Sequence, residues 1–355
     1  MLAANRVSQR LGIRHPIIQG PFGNGLSSAE LVAAVNNAGG LGSFGLAGFA
    51  PDAILEIGRK IRALTNGPFA LNLWVPLPGQ EETALERAAF ERAVARLAPL
   101  FADVGEPVPS WEDVAKNPLP SFDAQAQALL EVRPPVASFV FGVPPDALLR
   151  ELRRLGIATI GTATNVVEGE ALDASKMDLI VASGVEAGGH RASFLRSAEE
   201  SLTTSVLVRQ LSGRVSAPVI AAGGIVDGRT VAAAMLLGAE GAQVGTAFLA
   251  TNESGAPEPH KAALVALGER STVLTSAFTG RAARSLVNRF AREVGAHDAD
   301  ILPFPWQHLL TRPLRLAATR QQNTEWMSLW AGQNVPLVTR RSAAELMDLL
   351  VNENS

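Results

Sequence analysis

The sequence predicts a closed eight-stranded β/α barrel with a smaller, mostly helical cap, and three observations lead there. First, short apolar runs of strand length recur at 16–19, 41–44, 69–73, 136–141, 157–160, 179–182, 218–222 and 242–244. They are continuously apolar, as strands covered on both faces are. Second, helical patterns lie between them. Ser28 opens one that Gly39-Gly40 stops, Pro144-Pro145-Asp146 opens one that Gly156 closes, and Asp227 opens one that Gly238 closes. Polar caps and terminal glycines are the expected helix punctuation. Third, the chemically unusual residues come directly after the runs, where barrel strands converge on one face. Alternating βα units argue for a parallel sheet; a doubly wound open sheet is the second choice.

Two stretches break the repeat. Residues 79–120 hold a charged amphipathic helix and a Pro-rich loop, and residues after 251 read as mostly helical. The expected division is a barrel from 1–78 and 121–250, a helical cap from 79–120 and 251–330, and a C-terminal helix in 331–355 packing back on the barrel.

Composition narrows the function. The chain has 355 residues, 47% hydrophobic and 18% charged, with net charge −3. That suits a folded globular protein with a large core. The Arg-rich pieces at 281–292 and 312–320 alternate with apolar residues, so they read as helix faces rather than a nucleic-acid footprint. Cysteine is absent, which removes thiolate nucleophiles, disulfides and Cys-ligated metals. No G-x-S-x-G elbow is present. The N-terminus lacks the apolar core of a signal peptide, and no apolar run approaches the roughly 20 residues of a membrane span. A soluble cytoplasmic protein without membrane or nucleic-acid partners is expected.

Gly223-Gly224 and Gly245-Thr246 follow the last two barrel strands. Glycine lets backbone N–H groups approach a phosphate, and these loops form the usual barrel phosphate site. Such a site does not name its ligand, because phosphosugars, nucleotides and flavin mononucleotide would all fit. Gln19 and Asn72, at the ends of strands one and three, carry amides that could bond the edge of a flavin ring, and Pro21-Phe22 offers an apolar surface. Of the five histidines, only His190 lies in a glycine-rich loop after a barrel strand, "GVEAGGHR". It is the candidate proton-transfer residue. His15 lies at the wrong end of strand one, His260 and His297 in polar segments expected to be exposed, and His308 in the cap. Glu186 is expected to tie down backbone N–H groups. Arg191 either neutralises an anionic substrate or pairs with Glu186. No histidine pair has metal-ligand spacing with carboxylates, so no metal is expected.

The segments "PIIQGPF", "NNAGGLGS", "FALNLW", "GVEAGGHR", "PVIAAGGIVDGR", "GAQVGTAFL", "FTGRAARSLVNR" and "WAGQ" run in one order through the chain. Together they resemble the nitronate monooxygenases (2-nitropropane dioxygenases), FMN-dependent (β/α)₈ enzymes. The resemblance implies that His190 removes the α-proton of a nitroalkane or steadies the nitronate anion. It implies that Asn72, Gly188, Gly189, Gly224, Gln243, Val244, Gly245 and Thr246 belong to the FMN site, with Pro21 and Phe22 along the ring. It further implies that electrons pass from nitronate to flavin to dioxygen, giving a carbonyl compound and nitrite. A homodimer is allowed for. Four features depart from the family pattern. Ser183 stands where relatives carry a flavin-touching glutamine, Val140 replaces a histidine, Phe22 replaces a methionine, and the chain contains no tyrosine. The alternatives are an NAD(P)H-dependent flavin reductase of the same barrel type, acting on quinones or enoyl thioesters, and a barrel binding a phosphorylated ligand without flavin redox.

Overall fold

A computed structural model describes residues 5–79, 84–116, 119–266, 271–295 and 298–352. His297 therefore lies outside the described residues. In chain order the strands are β1 (Ile17–Gln19), β2 (Gly42–Gly45), β3 (Phe69–Trp74), β4 (Val136–Val140), β5 (Ala158–Ala163) and β6 (Leu179–Ser183). They continue with β7 (Gly189–His190), β8 (Val219–Ala222), β9 (Gly241–Val244), β10 (Thr272–Thr275) and β11 (Ala283–Leu286). Eight of them form one parallel sheet in the order β1-β9-β8-β6-β5-β4-β3-β2. The remaining seam closes through a parallel bridge between Ile18 and Leu41. There the Leu41 N–H donates to Ile17 O and the Gln19 N–H donates to Leu41 O, both at 2.9 Å. The result is a β/α barrel.

Strand residues alternate between faces, and here both faces are apolar for different reasons. One buried cluster holds Ile18, Ala70, Val136, Ile160, Val181 and Ile220, the inward residues of six strands. Val7 and Leu11 join it from the N-terminal helix Arg6–Leu11, which plugs the lower mouth of the barrel. The alternate residues, Ile17, Leu71, Ala137, Ile180 and Val219 among them, pack outward against the helices. Burying each inward Ile or Val stabilises the fold by about 1.5–3 kcal/mol. Two strand positions above that plug the inward residues turn polar or become glycine: Ala70 is followed by Asn72, Val136 by Ser138, Ile160 by Thr162 and Val181 by Ser183. Core below and cavity above thus come from one alternation.

The helices start and stop as their punctuation predicts. Ser28 accepts from the Leu31 N–H at 2.9 Å, and Asp227 accepts from the Thr230 N–H at 2.8 Å. Gly39, Gly156 and Gly238 end their helices at positive φ. Strand five differs from its expectation. It runs on to Ala163, so Gly161 and Thr162 lie inside the strand rather than in the loop after it.

The largest difference lies beyond residue 251. This segment is not only helical, because β10 and β11 pair antiparallel and β11 pairs in turn with β7. His190 stands opposite Ala283, and Gly189 opposite Arg284. Strands of two and four residues leave too short a periodic trace to be read from sequence, and the pairing joins segments distant in the chain. The inserted helix Arg87–Val104 packs on Trp306–Arg320, and Ala343–Asn352 packs on the barrel helices Ala29–Asn37 and Gly228–Leu236.

Candidate active site

The upper ends of the barrel strands enclose a cavity of ≈ 1330 Å³, counting its open mouth. Twelve of the fourteen site residues expected from sequence line it: Pro21, Phe22, Asn72, Ser183, Gly188, Gly189, His190, Gly223, Gly224, Gln243, Gly245 and Thr246. Gln19 and Val244 do not. Each lies one residue out of phase with the inward set, Gln19 between Ile18 and Gly20, Val244 between Gln243 and Gly245. The fully buried Gln19 amide is occupied instead, with its Oε1 accepting from the Ser43 N–H at 2.9 Å and its Nε2 donating to Gly20 O. It braces the β1–β2 seam.

On the β8–β9 side the backbone is open. A Cβ added at Gly245 would meet no atom within 4 Å, and one at Gly224 would meet nothing nearer than the Asn334 amide nitrogen at 3.6 Å. Gly223 and Gly224 sit at φ +119 and +68, a conformation that other residues adopt only under strain. Thr246 begins a short helix, Thr246–Leu249, whose first N–H groups have no partner inside it. A segment near the C-terminus laces these loops together. The Gly332 N–H donates to Thr246 Oγ1 at 2.8 Å, the Gln333 N–H to Glu186 O at 3.0 Å, and the Asn334 amide to Gly224 O.

Gly188 serves that segment. A Cβ there would stand 2.6 Å from Ala331 C and Gly332 N. Its glycine is required by close approach of the C-terminal chain. Glu186 ties down backbone as expected, its Oε2 accepting from the Thr204 N–H at 2.9 Å and the Thr204 hydroxyl at 2.8 Å. Arg191 departs from both readings offered for it. Buried at 2% exposure, it donates to Gly184 O at 2.7 Å and to Ser183 O at 2.6 Å, and so clamps the start of its own loop. Burial, reinforced by Arg284, pushes its pKa down to about 10. It remains charged at neutral pH.

His190 stands on the cavity wall among rings, with Trp74 at 4.9 Å and Trp330 at 5.2 Å between centroids. Its Nε2 lies 2.9 Å from Thr279 Oγ1, which leaves Nδ1 to meet a ligand. Burial, with Arg281 and Arg315 adding to it, pushes its pKa down to about 3. The imidazole is therefore neutral across the physiological range. His260 is buried, not exposed as expected. Its Nε2 bonds Trp330 O at 3.1 Å, and burial lowers its pKa to about 4. Glu258 nearby is exposed, whereas the ring packs under the C-terminal segment and the adjacent Lys261 is buried with its Nζ donating to Asn252 O at 3.0 Å.

Sequence reasoning passed over Trp74, Thr279, Arg281 and Trp330. Trp74 had a usable signal, since it is two residues beyond Asn72 and so shares its face. Asn72 is itself held by Ser138, its Nδ2 donating to the Ser138 hydroxyl at 3.0 Å. Thr279 and Trp330 fall in the family-like segments "FTGRAARSLVNR" and "WAGQ", but nothing local assigns them to the site, because each reaches it through long-range pairing. Val140 and Phe22, two of the departures, both line the cavity. Among the described residues no group of His, Asp and Glu is placed to hold a metal ion, and no helix is long and apolar enough to cross a membrane.

Comparison with known proteins fits this geometry. A family model described as nitronate monooxygenase matches residues 4–353. The nitronate monooxygenase of Pseudomonas aeruginosa is 40% identical over 354 residues, 98% of this chain and 99% of that protein. A probable nitronate monooxygenase of Staphylococcus haemolyticus is 37% identical over 352 residues, 98% of this chain and 96% of that one. The solved nitroalkane oxidase of Streptomyces ansochromogenes superposes with TM-score 0.89 at 38% identity, covering 98% of this chain and 97% of its own. FabK of Thermotoga maritima superposes with TM-score 0.76 at 28% identity, covering 99% and 96%.

Proposed function

The chain belongs to the nitronate monooxygenase family of oxidoreductases, and on that premise we propose that it uses FMN and dioxygen to oxidise alkyl nitronates to a carbonyl compound and nitrite. The residues present fit such a cofactor. Gly224 and Gly245 leave backbone uncovered at the start of the short helix Thr246–Leu249, which has no side-chain cap, a setting suited to a phosphate. Asn72, Gln243, Ser183, Pro21 and Phe22 supply amide, hydroxyl and apolar surface for a planar ring. FMN held there supplies an electron acceptor for the substrate and a reductant for dioxygen.

The observation that carries the substrate reading is the placement of His190 on the cavity wall with its Nε2 engaged by Thr279 and its Nδ1 left for a ligand, and burial lowers its pKa as well. A base works best when its pKa lies near the operating pH, and this imidazole is held far below that. It is poorly suited to stripping a proton from a neutral nitroalkane. It is well suited to a hydrogen bond with a nitronate that arrives already ionised. The Thr279 hydroxyl decides the tautomer. Its contact with His190 Nε2 is 2.9 Å, against 3.3 Å to Arg281 O. A proton donated to Nε2 leaves Nδ1–H as the donor for the anion. Arg281 and Arg315 add the positive field that draws a nitronate in.

Purified protein should be yellow and should release FMN on denaturation. Anaerobic propyl-2-nitronate should bleach the flavin, and air should restore it with nitrite formed. His190→Asn should retain the flavin but lose about 100-fold or more in kcat/KM, the lower bound for loss of a proton-transfer or anion-binding group. Bleaching by NADH but not by nitronate would replace this reading with the flavin reductase. A colourless protein that FMN cannot reconstitute would leave only the phosphorylated-ligand barrel.

A further inference from the structure

A second chamber adjoins the cavity, shares Trp74 and Asn24 with it, and reaches to His308 in the cap. We propose that this annex is a substrate subsite, taking the aromatic or branched apolar body of a nitronate whose reacting end lies beside His190, with an oxygen acceptor on that body meeting the His308 ring. The proposal rests on the nitronate reading of the main cavity.

Three observations support it. The first is continuity. Ring centroids step from His190 to Trp74 at 4.9 Å, from Trp74 to Phe304 at 5.8 Å, and from Phe304 to His308 at 6.0 Å. A line of aromatic surface thus joins the reacting end to the far wall. The second is lining. Trp74, Phe122, Phe304, Trp306, Pro76 and Pro120 supply rings and apolar faces, and no carboxylate is among the lining residues described. Such a surface gains from covering an apolar body. A nitronate of two or three carbons is too short to use it.

The third is direction. Arg315 Nη2 donates to His308 Nδ1 at 3.2 Å. An imidazole nitrogen that accepts cannot carry the hydrogen, so His308 holds it on Nε2. Among the described residues none bonds that Nε2, and it is not one of the buried atoms left without a partner. It therefore presents a fixed N–H to the annex it lines. Burial and the neighbouring Arg315 keep the ring uncharged, its pKa pushed down to about 2. A neutral donor in an apolar chamber selects an uncharged acceptor such as an ether or carbonyl oxygen. Arg281 forms the partition, its guanidinium 4.2 Å from the Phe141 ring centre and 4.4 Å from that of Phe304. Stacked between rings of the two chambers, it places positive charge where the anionic end must pass.

The test compares three nitronates: ethyl, 3-phenylpropyl and 3-(4-methoxyphenyl)propyl. The specificity constant should rise about tenfold or more from the first to the second as the ring enters the annex, and by about another three- to tenfold for the methoxy oxygen. His308→Phe should abolish the methoxy increment, and His308→Gln, which keeps an N–H donor, should restore part of it. A second readout needs no turnover. 3-(4-Methoxyphenyl)propan-1-ol should quench tryptophan fluorescence saturably, because Trp74 and Trp306 line the chamber, and Ala47→Phe should abolish the quenching by filling it. Equal constants for the three nitronates, or a methoxy increment untouched in His308→Phe, would overturn the proposal. Saturable quenching in a protein that oxidises no nitronate would sink the functional reading and leave the annex standing. Good turnover of ethyl nitronate with no quenching by the alcohol would do the reverse.

Discussion

The two sides of the active-site cavity are built differently. On one side, Gly223-Gly224 and Gly245-Thr246 are delivered by the strands that directly precede them, so a few consecutive residues make each loop. On the other, His190 is fixed by Thr279, 89 positions downstream, and by pairing of β7 with β11. The C-terminal segment at 330–334 then joins the two, touching Thr246, Gly224 and Glu186. The glycine loops come from local motif, whereas the orientation of the histidine comes from distant chain. The glycine-loop side should therefore fail as a unit when this strap at 330–334 is displaced, and the His190 side should fail by degrees as individual contacts are removed.

The sharpest way to break that comparison is Gly188→Ala. The added methyl would meet Ala331 and Gly332 backbone at 2.6 Å, forcing the strap off Thr246 and Glu186. A loss of about 2 kcal/mol or more is expected, in the range of substitutions that overpack a close contact. Thermal melting and retained flavin absorbance should fall together. An unchanged melting temperature with full flavin would show that the strap does not hold the phosphate loops.

Acid should weaken the fold next. His190, His260 and His308 are held to about 3, 4 and 2 in the folded chain, against an ordinary 6.5. The unfolded chain thus binds protons that the folded chain refuses. Their contribution is complete above pH 6.5 and is lost as pH falls below it, each group adding a slope of up to about 1.4 kcal/mol per pH unit. Melting temperature should drop steadily from pH 7 to pH 5. A flat profile would mean that these rings are protonated in the fold. Over the same interval kcat/KM for preformed nitronate should show no acid limb from His190, provided its neutral state is the working one.

Thr279→Val isolates orientation from binding. It removes the hydroxyl at 2.9 Å from His190 Nε2 while keeping a branched side chain of similar volume. A reduction of about tenfold in kcat for nitronate, with flavin affinity unchanged, is expected for one lost hydrogen bond to a reacting group. A pH profile that gains an acid limb would mark the freed imidazole. The smallest effect belongs to Asn334→Ala, which removes the amide bond to Gly224 O and should weaken FMN binding by about threefold to tenfold. Fluorescence of released FMN on dilution reads this directly.

Much of the molecule was legible before folding was considered. The eight apolar runs, the caps at Ser28 and Asp227 and the glycines after the last two strands each rest on interactions within a few residues, so sequence carries them. So did twelve of the cavity-lining positions. Gln19 and Val244 were misplaced because proximity to a strand end says nothing about face. A shift of one residue turns a side chain from the cavity to the helices, and only closure of the barrel sets which parity points in. His260 was misread for a related reason, its polar neighbours in sequence giving no sign that the ring itself would be covered by Trp330.

By itself, then, the sequence determined the βα repeat, the glycine loops able to approach a phosphate, and the histidine set among them, because local sterics and alternation act on neighbours along the chain. Tertiary structure decided which strand faces line the cavity, that His190 belongs to a small sheet with residues 272–286, and that its imidazole is neutral. Those outcomes depend on desolvation and on contacts between segments far apart in sequence. Neither has a local signature, because both arise only when the chain after residue 271, the strap and the barrel mouth exclude water from the same place.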